Sequence, residues 1–343
     1  MQRRHFVQGV AALGLLSPSR LLAAAAESGG PGPVGADALP ELAGPLTVYL
    51  GRGEGGLYDD VVAAIEKRNP ALKLKIRRAP SAALANTLLA ESRAGVKRAD
   101  LFWSIDASSL GAVAGAGLGR PVPDDIQGQI KPDFRYDAWA AVSGRLRTVP
   151  YNPTRVSREA IPDDIMAFAD SDLRIGWAPA YGAFQSFVTA MRLLAGEGPT
   201  RSWLTGVNRH AKTYAGELGV AMGVARGEVD VGFANHYYTL RLKKGQPDAD
   251  LALALTAGDA GSLVNSSGVV LLDDNPLAAN FLRYLLSREV QSYLAREAFE
   301  IPMIAGVPGP AGLPTPIEPP AINLTRLDDL QPTLELLRET GVL

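Results

Sequence analysis

The chain has 343 residues, which is enough for two domains of ordinary size. Hydrophobic residues make up 47% and charged residues 20% of it, a composition typical of a folded globular protein. Lys and Arg number 34 and Asp and Glu number 36, and this lack of a basic excess argues against nucleic acid as a partner. Cysteine is absent and only three histidines are present, which excludes disulfides and thiolate metal sites and nearly excludes sites built mainly from histidine.

The first residues have the pattern of an export signal. The basic pair Arg3-Arg4 precedes the apolar stretch 6–16, and a run of alanines follows. A basic start, an apolar centre and a small-residue end define a secretory signal peptide, and an arginine pair followed by x-Phe resembles the twin-arginine type. We therefore expect a signal peptide over residues 1–26, export to the periplasm by the twin-arginine route, and a flexible tail over residues 27–45.

Strands and helices alternate from residue 46 onward. The spacing of apolar residues first predicts strands at 46–50, 72–76 and 100–104 and helices at 57–68, 82–94 and 108–116. Further on it predicts strands at 147–151, 174–178 and 229–234, helices at 184–194, 199–210, 219–226 and 327–340, and an irregular crossing at 306–320. This rhythm indicates an α/β fold with a mostly parallel sheet covered on both faces. No later stretch is long and apolar enough to cross a bilayer, so we expect no stable membrane insertion.

Two neighbouring tyrosines follow the apolar strand 229–234. Asn235 fits a helix N-cap and residues 239–244 fit a helix start, so Tyr237 and Tyr238 lie where adjacent side chains can reach one ligand. A phenolate is a hard anionic donor whose free pKa is about 10, so it needs a strongly charged cation to stay deprotonated at neutral pH. Ferric iron is such a cation, whereas zinc and copper prefer imidazole or thiolate. Taken alone, the dipeptide favours simple packing at a domain edge, with both hydroxyls hydrogen-bonded to water.

The residues around the tyrosine pair add a family resemblance. The matching runs are 176–191 and 227–238, with shorter ones at 46–52, 99–104, 143–147, 259–264 and 301–307. This ordered set, which spans about residues 46–343, resembles the ferric-iron-binding periplasmic proteins of ABC importers. The resemblance implies a solute-binding protein, not an enzyme, that carries ferric iron to a membrane permease.

The family fold is the type 2 periplasmic-binding-protein fold. It implies two α/β lobes, each a mixed sheet flanked by helices, with a ligand cleft between them. On this sequence lobe 1 would comprise residues 46–145 and about 268–320, and lobe 2 about 146–267 and 321–343. With the ABC permease as its partner, we expect the protein to be a monomer.

The resemblance also assigns metal ligands. Tyr237 and Tyr238 match the paired tyrosine ligands of the family. Tyr181 stands where the family has a small polar residue, and it is a candidate third phenolate because some members use more tyrosines.

An anion site is implied beside the metal, for a synergistic anion of the carbonate or phosphate class. Ser143 and Arg145 match a stretch that helps to bind this anion in several members. Gly182 and Ala183 match the start of an anion-binding helix, where free N–H groups favour negative charge. Glu217 replaces an asparagine that contacts the anion.

Two family ligands are missing from this sequence. A histidine expected after the first strand is replaced by Gly53, with Glu54 next to it, and a glutamate expected near the third strand is replaced by Ile105, with Asp106 next. Glu54 or Asp106 could supply the missing carboxylate, and a solvated surface acid is the alternative for each. A different metal, or an iron chelate held partly by its own groups, therefore stays open.

A glycine motif offers an interpretation of another class. Residues 51–56 fit G-x-G-x-x-G after a strand and before a helix, which is the dinucleotide-binding fingerprint. The next strand is followed by Arg77-Arg78 where an acid for the ribose is expected, so the nucleotide would have to be the phosphorylated one. The alternatives are thus an exported NADP-dependent oxidoreductase, or the binding-protein fold with an anion or small organic solute.

Overall fold

The computed structural model describes residues 33–51 and 56–343. The expected signal peptide with its arginine pair and the candidate ligand Glu54 lie outside the described residues. The strands are β1 Gly44–Gly51, β2 Leu72–Ala79, β3 Leu101–Ser104, β4 Arg135–Tyr136, β5 Trp139–Tyr151, β6 Ile175–Trp177, β7 Lys212–Thr213, β8 Val231–Gly232, β9 Ala234–Asn235, β10 Ala252–Ala254, β11 Val264–Leu271 and β12 Ile301–Pro302. The α-helices are α1 Leu57–Arg68, α2 Ser81–Arg93, α3 Ala107–Gly115, α4 Asp124–Gln129, α5 Gly182–Ala195, α6 Glu197–Asn208, α7 Glu217–Ala225, α8 His236–Gly245, α9 Pro276–Leu285, α10 Arg288–Tyr293 and α11 Gln331–Glu339. Across the described ranges, no helix has the length and apolar character needed to span a membrane.

The chain forms two compact units. Unit 1 contains the described residues up to Gly144 together with Ser266–Pro310, and unit 2 contains Arg145–Asn265 and Ala311–Leu343. The chain therefore crosses between the units three times, once within β5, once within β11 and once near residue 310. The expected ligand cleft between lobes stays a prediction.

Unit 1 is built on a mixed sheet. Its strand β1 is parallel to both β2 and β3, while β11 pairs antiparallel with β3. The first half of β5 pairs antiparallel with β4 and β12. Phe102, Trp103 and Trp139 are fully buried in its core, and α1 adds Val61 and Ile65 from the single face that helical spacing gives them.

The segment before β1 packs against unit 1. Ala36 and Leu42 are buried. The backbone N–H of Ala36 donates to Glu289 Oε2 at 2.8 Å, and that of Leu42 donates to Asn69 Oδ1 at 2.8 Å. The Gly, Pro and Ala content of this stretch predicts a flexible tail as far as residue 45, but these contacts place residues 36–42 in the packed body of unit 1.

Unit 2 is built on a second mixed sheet and an aromatic core. β6 lies parallel to β7 and β8, whereas the second half of β5 pairs antiparallel with β8, β9 and β10. Six large rings fill the core, with the centroids of contacting pairs 5.3–6.3 Å apart: Phe168, Trp177, Phe184, Phe187, Trp203 and Phe233. Because two of these rings lie on α5 and another lies just before β9, the core fixes where α5 and β9 begin.

The sequence predictions hold best for the amphipathic elements. The helix at 57–68 is confirmed. The prediction that each lobe contains a mixed sheet is also confirmed, because both units combine parallel and antiparallel strand pairs. The mostly parallel sheet suggested by the strand–helix rhythm is wrong, because β5 and β11 run antiparallel to their partners. The first half of β5, residues 139–146, is absent from the predicted strands, since it is buried on both faces and therefore lacks the alternation of a half-buried strand.

Candidate metal-binding site

The two neighbouring tyrosines lie in the first turn of α8. Asn235 has extended backbone angles and occupies the N-cap position, and the helix begins at His236. The helix start expected at residue 239 is thus wrong by about one turn. Tyr237 and Tyr238 follow the end of β9 directly, as the strand-to-helix transition predicts, and both are buried.

Strand β5 holds this turn in place from the other side. His236 is fully buried, and its Nδ1 accepts the backbone N–H of Leu146 at 3.0 Å. Close to the turn, the Thr148 hydroxyl donates to the carbonyl oxygen of Ala234 at 2.8 Å. The start of α8 is therefore fixed to β5 by side-chain bonds as well as by strand pairing.

Tyr181 reaches the same place from the start of α5. It occupies the N-cap position, and its carbonyl oxygen accepts the N–H groups of Phe184 and Gln185 at 3.0 and 3.1 Å. Its hydroxyl oxygen lies 2.8 Å from that of Tyr238. The candidate anion-binding residues Gly182 and Ala183 come next, as the first two residues of the helix. A Cβ added to Gly182 would meet nothing within 4 Å, so no other atom of the described chain packs against this face of the residue.

Tyr237 completes the cluster. Its ring lies 4.4 Å from that of Tyr238, centroid to centroid, and its hydroxyl accepts a long hydrogen bond from Asn235 Nδ2 at 3.5 Å. The guanidinium of Arg241 lies 4.8 Å from the centroid of the Tyr237 ring. We call Tyr181, Tyr237 and Tyr238 the tyrosine cluster.

Positive charge lies close to the tyrosine cluster. The N-terminal ends of α5 and α8 both carry partial positive charge, and Arg241 adds a full one. Two oxygens each about 2 Å from a small hard cation and at right angles to one another would lie about 2.8 Å apart. The 2.8 Å between the Tyr181 and Tyr238 oxygens therefore fits two ligands of one cation as well as it fits a hydrogen bond between the two hydroxyls. Among residues 33–51 and 56–343, no group of three His, Asp or Glu side chains is placed to hold a metal ion.

A buried ion pair joins strand β5 to helix α7 in the same unit. Arg147 on β5 and Glu217 at the start of α7 are 3% and 0% exposed, and Arg147 Nη1 lies 2.6 Å from Glu217 Oε1. In the sequence, Arg147 is only the first residue of a predicted strand and Glu217 only a departure from the family pattern. A charged residue within an apolar strand is the available signal, but its partner is 70 positions away.

The remaining described sequence candidates lie on other elements of the fold. Arg145 lies on β5 in unit 2 and is half-buried. Asp106, in unit 1, is the N-cap of α3, where its carboxylate accepts the backbone N–H of Ser109 at 2.8 Å. Asp106 therefore has a structural role as a helix cap. The role of Asp106 as a metal ligand stays a prediction.

Ser143 is fully buried within unit 1. Its hydroxyl lies 2.6 Å from that of Ser267 and 3.4 Å from that of Tyr58, and it donates a hydrogen bond to Glu300. Glu300 also accepts from Tyr58 at 3.0 Å, so this acid is surrounded by hydroxyl groups. Glu300 is not among the sequence candidates, because no motif surrounds it.

Comparison with known proteins identifies the family. A family model described as bacterial extracellular solute-binding protein matches residues 46–300, and the chain belongs to this family. It is 28% identical over 319 residues to the major ferric iron-binding protein of Neisseria meningitidis serogroup B, covering 89% of this chain and 95% of the relative. Iron uptake protein A2 of Synechocystis is 31% identical over 268 residues, covering 71% of this chain and 76% of the relative. The structure of iron-bound HitA from Pseudomonas aeruginosa aligns with a TM-score of 0.77 at 26% identity, covering 88% of this chain and 100% of HitA.

Proposed function

We propose that this protein is the periplasmic solute-binding component of an ABC importer and that its cargo is ferric iron. The relatives named above are ferric-iron-binding, iron-uptake or iron-bound proteins, and all three match over most of their own length. Family membership favours this function over an NADP-dependent oxidoreductase. The protein takes up and releases the ion without catalysing a reaction.

The observation that carries the proposal is the pair of phenol oxygens from Tyr181 and Tyr238, 2.8 Å apart, with Tyr237 beside them. Bringing three phenols to two helix starts supports a site for a trivalent cation, because each phenolate that forms cancels one positive charge. We assign Tyr237, Tyr238 and Tyr181 as ligands. This sequence lacks the carboxylate ligand of the family pattern, and Glu54 and Asp106 are the candidates to replace it.

A synergistic anion of the carbonate or phosphate class would complete the coordination. The N–H groups of Gly182 and Ala183 lie in the first turn of α5, and Arg145 is the cation that the family pattern implies. Ser143 completes this proposed set, although its hydroxyl is already engaged by Glu300 and Ser267.

The cellular setting follows from the same proposal. The protein would be exported by the twin-arginine route, remain a monomer in the periplasm, and meet the permease there. The arginine pair and the alanine run of the first residues support the export route.

Titration with ferric iron tests the proposal. Iron supplied as its nitrilotriacetate should produce a visible phenolate-to-iron charge-transfer band and raise the melting temperature. The double variant Tyr237→Phe/Tyr238→Phe should lose both effects. Tyr214→Phe removes a phenol in the same unit, bonded to Glu228 at 3.0 Å, and should keep both.

Each other outcome has a clear meaning. A wild-type protein that shows neither colour nor a thermal shift would overturn ferric iron as the cargo. Thermal protection by an anion or an organic solute, without colour and lost in Arg145→Met, would instead support the alternative of an anion or solute carrier.

A further inference from the structure

The buried Arg147–Glu217 pair calls for an explanation beyond stability. Both side chains are almost completely removed from solvent. Burying an ion pair carries a desolvation cost that often cancels its attraction, so such a pair is weak evidence for a stabilising role. The other contacts of the two side chains indicate a different role.

Hydrogen bonds from this pair lead to the two helix starts that carry the tyrosine cluster. Arg147 Nη2 donates to the carbonyl oxygen of Ala183 at 2.7 Å, two residues after Tyr181. On the other side, Glu217 Oε2 accepts the backbone N–H of Asn235 at 2.8 Å, two residues before Tyr237. The pair thus connects the start of α5 to the start of α8 through a single chain of charge-assisted bonds.

The shape of the guanidinium matters for this connection. One terminal nitrogen of Arg147 binds Glu217 and the other binds Ala183, while the guanidinium carbon lies 5.3 Å from the centroid of the Phe187 ring. Arg147 Nε is buried and has no hydrogen-bond partner in the described part of the chain, so the two terminal nitrogens fix the group's orientation. A planar fork holds two acceptors at a set separation, which an ammonium group cannot do.

We infer that Arg147 and Glu217 are positioning residues that set the separation of the Tyr181 and Tyr238 hydroxyls. The ion pair fixes the starts of α5 and α8 relative to each other, and thereby holds the phenol oxygens close enough to share one cation. This inference rests on the proposed function for its cargo, and the hydrogen bonds that carry it are made by the protein's own groups.

Conservative variants separate positioning from mere stability. Arg147→Lys keeps the charge but removes the planar fork that bonds the two acceptors, and Glu217→Gln keeps the size but not the charge. Both should stay folded, bind ferric iron at least tenfold more weakly, and show a shifted and weaker charge-transfer band. Thr333→Val is the matched control: it removes a buried 2.8 Å bond to Thr189 in the second half of α5 and should lower the melting temperature without changing the band.

A metal-free measurement keeps the inference independent of the cargo. In a crystal structure of apo Arg147→Lys, the Tyr181–Tyr238 oxygen separation should exceed hydrogen-bonding distance, against 2.8 Å in the wild-type chain. If the wild-type protein gives no ferric band, the proposed function fails and this separation alone decides the inference. Unchanged separation together with an unchanged band would overturn it.

A double variant covers the case in which the single variants fail to fold. Arg147→Met/Glu217→Leu removes both charges at similar volume, a replacement that buried pairs often tolerate. This double variant should fold and still bind ferric iron more weakly with an altered band, and wild-type iron binding by it would refute the positioning role.

Discussion

Among the individual residues, Tyr181 is the most informative tyrosine of the cluster. It is half-buried at the N-cap of α5, and its hydroxyl is bonded to that of Tyr238. We expect Tyr181→Phe to fold normally and to bind ferric iron at least tenfold more weakly, with a less intense charge-transfer band, because one phenolate is lost. Tyr293→Phe, which removes a phenol bonded to Asp60 in unit 1, should leave the titration unchanged. Equal affinity for wild type and Tyr181→Phe would show that Tyr181 is not a ligand.

Asp106 allows its two assigned roles to be separated. Its carboxylate caps α3 by accepting from the backbone and the hydroxyl of Ser109, at 2.8 and 3.2 Å. Removing such a cap costs about 1 kcal/mol, whereas asparagine caps about as well as aspartate. We therefore expect Asp106→Ala to lower the free energy of unfolding by about 1 kcal/mol, measured by urea unfolding. Asp106→Asn should leave the free energy of unfolding unchanged, because asparagine keeps the cap. If Asp106 is a metal ligand, Asp106→Asn should bind ferric iron at least tenfold more weakly, whereas an unchanged affinity would exclude this role.

The sequence reveals the residues with distinctive chemistry but not their buried partners. Tyr237 and Tyr238 stand out because two phenols follow an apolar strand, and the family pattern adds Tyr181. Nothing local predicts that Arg147 pairs with Glu217, since their contact depends on how β5 and α7 pack. Charges buried by tertiary structure become apparent only when that structure is known.

Among the strands and helices, β11 shows how tightly unit 1 is packed. A Cβ at Gly268 would lie 2.5 Å from the backbone oxygen of Ala140 and 2.8 Å from the Trp139 ring. Because a backbone oxygen cannot move aside, we expect Gly268→Ala to destabilise the protein by about 1–3 kcal/mol, measured by urea unfolding. Gly128→Ala is the control, since its Cβ would meet nothing within 4 Å on the exposed side of α4. Equal stability of the two variants would contradict this packing.

Element boundaries are predictable where one face is exposed. The sequence places helix α1 at its observed bounds because its apolar residues recur on one side. Strands β5 and β11 are nearly continuous buried runs, so their sequences carry no alternation to mark them. These two strands also contain two of the three crossings between the units. Both run antiparallel to their partners, and a rhythm of strands and helices that misses them suggests a mostly parallel sheet.

For the molecule as a whole, the order of motifs along the chain is a better guide than any single motif. Each run is weak alone, but the set follows one order over most of the chain, and the family match covers residues 46–300. The glycine pattern at 51–56 fits a nucleotide site locally, but the chain around it matches the solute-binding family. Agreement across the chain therefore outweighs a short local fit.

The acid stability of the folded protein should depend measurably on Asp230. Hydrogen bonds from Arg174 hold the pKa of Asp230 at about 2, well below the ordinary range of an aspartate, with Arg155 contributing a further bond at 3.1 Å. A lowered carboxyl pKa stabilises the folded state above the unfolded pKa, and this stabilisation is lost as the pH falls from about 4 towards 2. With an allowance for solvent screening around the exposed arginines, its size is about 1 kcal/mol.

Urea unfolding at a series of pH values checks this dependence. Asp230→Asn should be less stable than wild type near pH 7, and the difference should shrink between about pH 4 and pH 2, because the wild-type carboxylate becomes protonated there while asparagine does not titrate. Asp248→Asn, at an exposed position in the same unit, should follow the wild-type profile. If the free energy of unfolding of Asp230→Asn differs from that of wild type by a constant amount across this range, the charge of the Asp230 carboxylate does not stabilise the fold.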